Sequence, residues 1–211
     1  MTKTISIIIG VVLGVLVLYY IALVVPGHFP ESPGRDAPAQ ENDILNGTTT
    51  MEEMTLESTA FEQNGSIPSQ YTCDGTNINP PLQFGNVPSE AVSLVLIVDD
   101  PDIPAVVKTS RGIEKFDHWV LFNLPPSLQG LEENFSGEGM LGANSAGNAA
   151  YTGPCPPPDY EPTEHRYVFQ LYALDTELSL KEGATEADVR DAMKGHILGK
   201  AELIGVYDRA K

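Results

Sequence analysis

Between Tyr151 and Pro158 the chain reads Tyr-Thr-Gly-Pro-Cys-Pro-Pro-Pro. Proline has no N–H to give to a helix or to a strand ladder, and its ring fixes φ. A run this dense in proline and glycine is a stiff surface loop. It leads into His165-Arg-Tyr-Val-Phe-Gln-Leu-Tyr-Ala-Leu174, which reads as a long half-buried strand. A rigid loop beside a histidine at a strand start is one way to build a small polar pocket.

The rest of the second half is also strand-like. Ser93–Val98 is a continuous apolar run, as in a central strand covered on both faces. His118–Leu124 is aromatic and β-branched, Met54–Phe61 alternates, and Ala201–Tyr207 closes the chain as a strand. One clear helix is predicted over Glu186–Leu198. Thr185 caps it, acidic residues fill its first turn, and Val189, Met193 and Ile197 form its apolar stripe. Many strands with one late helix predict a mainly β fold: an antiparallel Greek-key β-sandwich with peripheral helices.

The first 50 residues are of another kind. Ile5–Val25 carries no charge over 21 residues. As a helix it would be roughly 31 Å long, enough for a hydrocarbon core of about 30 Å. No Ala-x-Ala pattern follows, so the reading is an uncleaved transmembrane helix, with a cleaved secretion signal as the rival. Lys3 on the short side, against Glu31 and Asp36 beyond, puts residues 1–4 in the cytoplasm and the rest outside. Residues 26–50 are a flexible Pro-rich tether that includes the sequon Asn46-Gly47-Thr48. Residues 51–211 are the folded domain. They hold 10 Lys and Arg against 25 Asp and Glu. That balance repels nucleic acid and anionic lipid headgroups.

Three motifs stand in fixed order: Asp99-Asp100-Pro101-Asp102-Ile103-Pro104, then Asp117-His118-Trp119-Val120, then Gly153-Pro154-Cys155-Pro156-Pro157 with His165-Arg166-Tyr167. Tyr71-Thr-Cys-Asp-Gly-Thr-Asn and the closing Gly195-His-Ile-Leu…Leu203-Ile-Gly-Val-Tyr-Asp-Arg accompany them. In this order they resemble the phosphatidylethanolamine-binding protein family, in its bacterial and archaeal branch of Raf-kinase-inhibitor-like proteins. The resemblance runs from about Phe61 to Arg209. It implies the sandwich fold and a ligand pocket that uses Asp100, His118 and His165, with Asp102 and the Tyr167 ring lining it.

The residues themselves support such a pocket. His118 and His165 supply imidazole N–H groups, and Cys155 offers the one N–H between Pro154 and Pro156. Tyr167 lies two residues after His165, on the same strand face. The proline rings and Trp119 provide apolar walls. Asp100 makes sense as a histidine partner, because a carboxylate that accepts one ring N–H orients the other nitrogen into the pocket. Asp-Pro-Asp is also an ordinary turn, in which Asp102 caps its own backbone. Lys108, Arg111 and Lys115 enrich the Ala105–Asp117 segment in positive charge, as a solvated loop or as a cationic rim. The acids between Asp159 and Glu164 disfavour a highly charged ligand.

The expected function is that of a non-enzymatic binding module. It takes a small anionic or phosphorylated ligand and has an unnamed protein partner, with no cofactor, no metal and no nucleic acid. Protease inhibition through an exposed Ala105–Phe116 loop, with Lys108 or Arg111 entering the protease, is the alternative; a hydrolase ranks last. Cys73 and Cys155 are the only cysteines, and an extracytoplasmic domain permits them to form a disulfide.

Overall fold

The computed structural model describes residues 52–209. The spans expected at 1–4, 5–25 and 26–50 lie outside the described residues. Among the described residues no helix is long and apolar enough to cross a membrane.

The strands are β1 (Glu52–Glu53), β2 (Thr55–Glu57), β3 (Gly65–Ser66), β4 (Leu82–Gly85), β5 (Ser93–Asp100), β6 (Phe116–Leu124), β7 (Gly130–Leu131), β8 (Met140–Leu141), β9 (Glu164–Leu174) and β10 (Ile197–Asp208). Helix α1 (Ala105–Arg111) joins β5 to β6, and helix α2 (Glu186–Met193) joins β9 to β10. The fold is mainly β with few helices. The larger sheet runs β1-β10-β9-β5-β6-β8, with β3 also on β10; the smaller runs β2-β4-β7.

Burial explains why β5 is apolar on both faces. Leu94, Leu96 and Val98 share one core cluster with Trp119, Leu121, Tyr167, Phe169 and Leu171 of the same sheet. The smaller sheet sends Leu56, Leu82, Phe84 and Leu131 into that cluster. Val95 and Ile97 face the other way and pack with Val120, Phe122, Leu178 and, from α2, Val189 and Met193. Burying each of these large apolar side chains contributes about 1.5–3 kcal/mol.

Three local expectations change. The sheet is not purely antiparallel, because β1 and β3 both pair with β10 in parallel. They are two-residue segments that reach the β10 edge through loops, and no hairpin fixes their direction. The helix at Thr185 is capped as expected: the Thr185 side chain accepts from Asp188 N–H, and the Asp188 carboxylate accepts from Thr185 N–H. It ends at Met193, however. Gly195 turns the chain at φ +83°, and Ile197 joins the same apolar cluster from β10. The Ala105–Phe116 segment, expected as an exposed loop, begins with helix α1 and stops at Gly112, φ +64°.

An ion-pair network fastens α2 to the sheet. Lys115 Nζ bonds both Asp99 and Glu186. Arg190 Nε bonds Glu186, and Arg190 Nη2 lies 3.5 Å from Asp99. Burial alone would lower the Lys115 ammonium, but its hydrogen bonds to Asp99 and Glu186 outweigh that and hold it above its ordinary value. Asp117 stands beside them, its carboxyl raised by burial and by the Glu186 charge. Asp99, Asp117 and Glu186 bring carboxylate oxygens within 4.8 Å of one another. With Lys115 and Arg190 already bonded to them, the cluster is a structural network.

Candidate functional site

Strand parity decides what faces the pocket. In an unbroken strand alternate residues share a face, so Asp117 would lie with Trp119, and His118 with Val120. The pairing breaks here: Val98 opposes Trp119, whereas Asp99 opposes Asp117. His118 is therefore the extra residue of a β-bulge, which re-aims it. Asp117 turns to the ion-pair network on one face. His118 turns to the other, with its ring edge-on to Tyr167 at 5.1 Å between centroids.

Asp100, at the end of β5, and His165, near the start of β9, meet on that same face. Asp100 Oδ2 accepts His165 Nδ1–H at 2.7 Å, with both residues buried. Oδ1 accepts the Asp102 N–H at 2.7 Å, so the same carboxylate also closes the Asp-Pro-Asp turn. His165 Nε2 is buried and has no hydrogen-bond partner among the described groups. His118 is held in a parallel way. Its Nδ1 donates to Thr152 O at 2.6 Å, while Thr152 N–H donates to His118 O at 3.0 Å. Both rings are thus fixed through Nδ1, which leaves both Nε2 edges for the cavity.

This arrangement differs from the expectation that His118 offers a free N–H. Burial pushes its imidazole below the ordinary value of 6.5, against the opposing pull of the Thr152 carbonyl and the Asp100 and Asp99 charges. Its one N–H goes to Thr152, and Nε2 carries a lone pair.

The proline loop is pinned from outside. Gly153 N–H donates to Asn77 Oδ1 at 2.8 Å, and Cys73 N–H donates to Pro154 O at 3.0 Å. The Tyr151 hydroxyl donates to Tyr71 O at 2.8 Å. Gly153 runs so close to the neighbouring loop that a Cβ there would stand 2.3 Å from Tyr71 O. No side chain fits that gap. The Cys73–Cys155 disulfide is present, with Cα atoms 5.4 Å apart. Cys155 therefore holds no thiol and offers no nucleophile.

Between these elements lies a cavity of about 240 Å³. Its lining includes Asp100, His118, Gly153, Cys155, Pro156 and His165 from the expected set. Three expected residues stand outside the lining. Tyr167 is 1% exposed and forms the buried floor, its hydroxyl pushed well above its ordinary value by burial. That hydroxyl faces the Cys155 backbone without reaching full hydrogen-bond geometry. Pro154 turns its carbonyl to Cys73. Asp102 forms a two-point ion pair with Arg166, 2.7 Å on each side, which holds its carboxyl below the usual range. Trp119 is likewise in the core, edge-on to Tyr151, and is not a wall. The walls are instead Ile103, Pro104, Val107, Phe116 and Pro157, with Thr152 and Arg111 completing the rim. Of the three basic residues in that segment, Lys108 donates to Pro101 O, Lys115 joins the network behind the sheet, and Arg111 alone lines the cavity. A larger cleft of about 810 Å³ lies against β2 and β10, but its lining has no histidine and no cysteine. Both imidazoles line the smaller one.

A mainly β domain with a small pocket of two Nδ1-anchored histidines, one carboxylate and a disulfide-pinned proline loop is a ligand-pocket protein. The family model for phosphatidylethanolamine-binding protein matches residues 57–208. A UPF0098 protein of Methanothermobacter thermautotrophicus is 52% identical over 162 residues, covering 74% of this chain and 99% of its own. The crystal structure of a phosphatidylethanolamine-binding protein homolog from Chlamydia trachomatis superposes with a TM-score of 0.69 at 44% identity, covering 74% of this chain and 98% of the other. Escherichia coli YbcL, at 23% identity, shares the fold with a TM-score of 0.65, over 74% of this chain and 99% of its own. The chain belongs to the phosphatidylethanolamine-binding protein family.

Proposed function

We propose that the protein is a non-enzymatic binding module for a small phosphate-type anion. The reading places it outside the cytoplasm, tethered by a transmembrane helix at 5–25, with its two sheets as the layers of a Greek-key sandwich. One observation carries the ligand reading: two imidazoles held through Nδ1 turn both Nε2 edges into one cavity. A phosphate oxygen in its protonated form donates to such a lone pair, and a protonated imidazole donates to an unprotonated oxygen. Either way the complex holds a proton between ring and ligand. A protease-inhibitor reading draws no support from Ala105–Arg111, since helical backbone does not lie extended in a protease cleft.

The proton fixes the sign of the pH dependence. Burial holds His118 below 6.5 in the free protein, against the Thr152 carbonyl and the Asp100 and Asp99 charges. Phosphomonoesters lose their last proton near pH 6. Above both values neither partner brings the shared proton, so affinity falls as pH rises from about 6 to about 8. Calorimetric titration of inorganic phosphate and phosphoethanolamine into the full-length protein in non-ionic detergent, with ¹⁵N-histidine spectra, tests this. We expect saturable binding that shifts the His118 and His165 ring nitrogens and disappears in His118→Ala. Unmoved histidine signals at saturating phosphate, or a flat pH profile, would count against the pocket. The tether has its own check: the protein should stay in the membrane fraction through a high-salt wash with its domain open to external protease. A soluble product beginning near residue 26 would instead mark a cleaved signal.

A further inference from the structure

Four arginines fall among the described residues. Arg166 pairs with Asp102, Arg190 with Glu186 and Asp99, and Arg209 with Asp74. Arg111 is the exception. Its Nη2 donates to the Ser145 carbonyl, and its guanidinium lies 5.6 Å over the Phe116 ring. Neither partner carries a negative charge, so the positive charge is held in place but not neutralised. The domain has 25 acidic side chains to 10 basic ones, so a guanidinium without a carboxylate is out of keeping with its surroundings. Arg111 also lines the cavity that His118 and His165 face.

The other polar groups of the cavity cannot select an anion alone. The Asp100 carboxylate is bonded to His165 and to the Asp102 N–H. His118 gives its N–H to Thr152. Helix α1, which carries Arg111, buries none of its residues, so two releasable contacts set the position of the guanidinium. An arginine head presents N–H groups in a planar fork that matches two oxygens of one phosphate or carboxylate.

We propose that Arg111 is the specificity-determining residue of this pocket, its guanidinium exchanging the Ser145 carbonyl for two oxygens of a small oxyanion. The inference rests on the pocket reading above and adds to it the group that makes the cavity prefer charge over mere fit. Phosphate and carboxylate ligands share the required oxygen pair, and acetate set against phosphate separates them. The ring of Phe116 fixes the plane of the fork, so a flexible ammonium at the same place keeps the charge and loses the geometry.

The test uses the full-length protein in non-ionic detergent, with Arg111→Gln and Arg111→Lys as variants. Inorganic phosphate and sodium acetate are titrated at two ionic strengths. Arg111→Gln should lose phosphate affinity about tenfold or more, the usual range for a charge-assisted hydrogen bond. Its binding should also lose most of its salt dependence. Arg111→Lys should keep that salt dependence and recover only part of the affinity. An unchanged ¹⁵N-histidine spectrum in the free variants would show that the pocket itself is intact. Wild-type phosphate affinity and salt dependence in Arg111→Gln overturn the assignment and leave the histidine pocket standing. Failure of the wild-type protein to bind either anion overturns both.

Discussion

Reducing the Cys73–Cys155 bond should lower the thermal midpoint of the domain by roughly 8–20 °C and weaken phosphate binding in the same step. The bond closes a loop with a sequence separation of 82 residues. In the chain-entropy model such a closure stabilises a domain by about 4–5 kcal/mol. At about 2–4 °C per kcal/mol for a domain of this size, the shift in midpoint follows. The effect on binding has a separate cause. Cys155 lines the cavity, and next to it Pro154 O accepts from Cys73 N–H. Loss of the bridge frees both loops at the point where they shape the pocket. Melting curves with and without reductant, and of the Cys73→Ser and Cys155→Ser variants, provide the measurement. A shift of less than about 2 °C would mean that the hydrogen bonds from Gly153 to Asn77, from Cys73 to Pro154 and from Tyr151 to Tyr71 hold the loops unaided.

Asp100→Ala should be the most damaging single substitution in the pocket, at a cost of about 3–5 kcal/mol. Its carboxylate serves two donors at once, His165 Nδ1–H and the Asp102 N–H. Removing one partner of a buried pair costs this much because the other is left desolvated and unpaired. His165 is 1% exposed, so water does not readily replace the acceptor that its Nδ1 loses. Asp100→Asn should cost less, since an amide oxygen still accepts one of the two donors. It should still weaken phosphate binding, because the second Asn group presents N–H to the ring or to the turn where an acceptor is required. Urea unfolding of both variants, with the His165 Nδ1 resonance as a local probe, separates the two roles. Asp100→Ala within about 1 kcal/mol of wild type, with an unmoved Nδ1 signal, would show that the pair carries little.

The pairing of Asp100 with a histidine was legible in the sequence because the chemistry is local to the groups: a carboxylate among anion-binding donors needs a partner. The disulfide was legible because two cysteines allow one bridge. The long strands β5, β6 and β9 announced themselves by composition. What stayed hidden depends on contacts between distant segments. Lys115 meets Asp99 and Glu186 across 16 and 71 residues, and no periodicity reports that. Helix α1 has two adjacent valines, a threonine and no side-chain cap, so its local signal is weak. Only Gly112, at the end of the helix, carries a usual stop signal. Thr152 was passed over because its contribution is a backbone carbonyl, which residue type does not disclose. Arg111 was visible as a charge, but the absence of a carboxylate beside it is a property of the fold. Tyr167 was assigned to the pocket by strand face and Trp119 as an apolar wall, but depth is not legible in residue type or parity, and both rings are buried in the core.

The extra residue at His118 bears on anyone who wishes to move this site to another scaffold. Copying the two histidines and the aspartate onto a regular antiparallel hairpin would send one imidazole to the wrong side of the sheet, however well the distances were matched. The graft must carry the irregularity with it: one surplus residue in the β6 position, opposite the Val98–Asp99 step. For the same reason a single-residue deletion just before Trp119 should regularise the strand and empty the site. It would remove the bulged ring and leave Asp117 opposite Asp99 on the ion-pair face, so nothing takes the place of the lost imidazole.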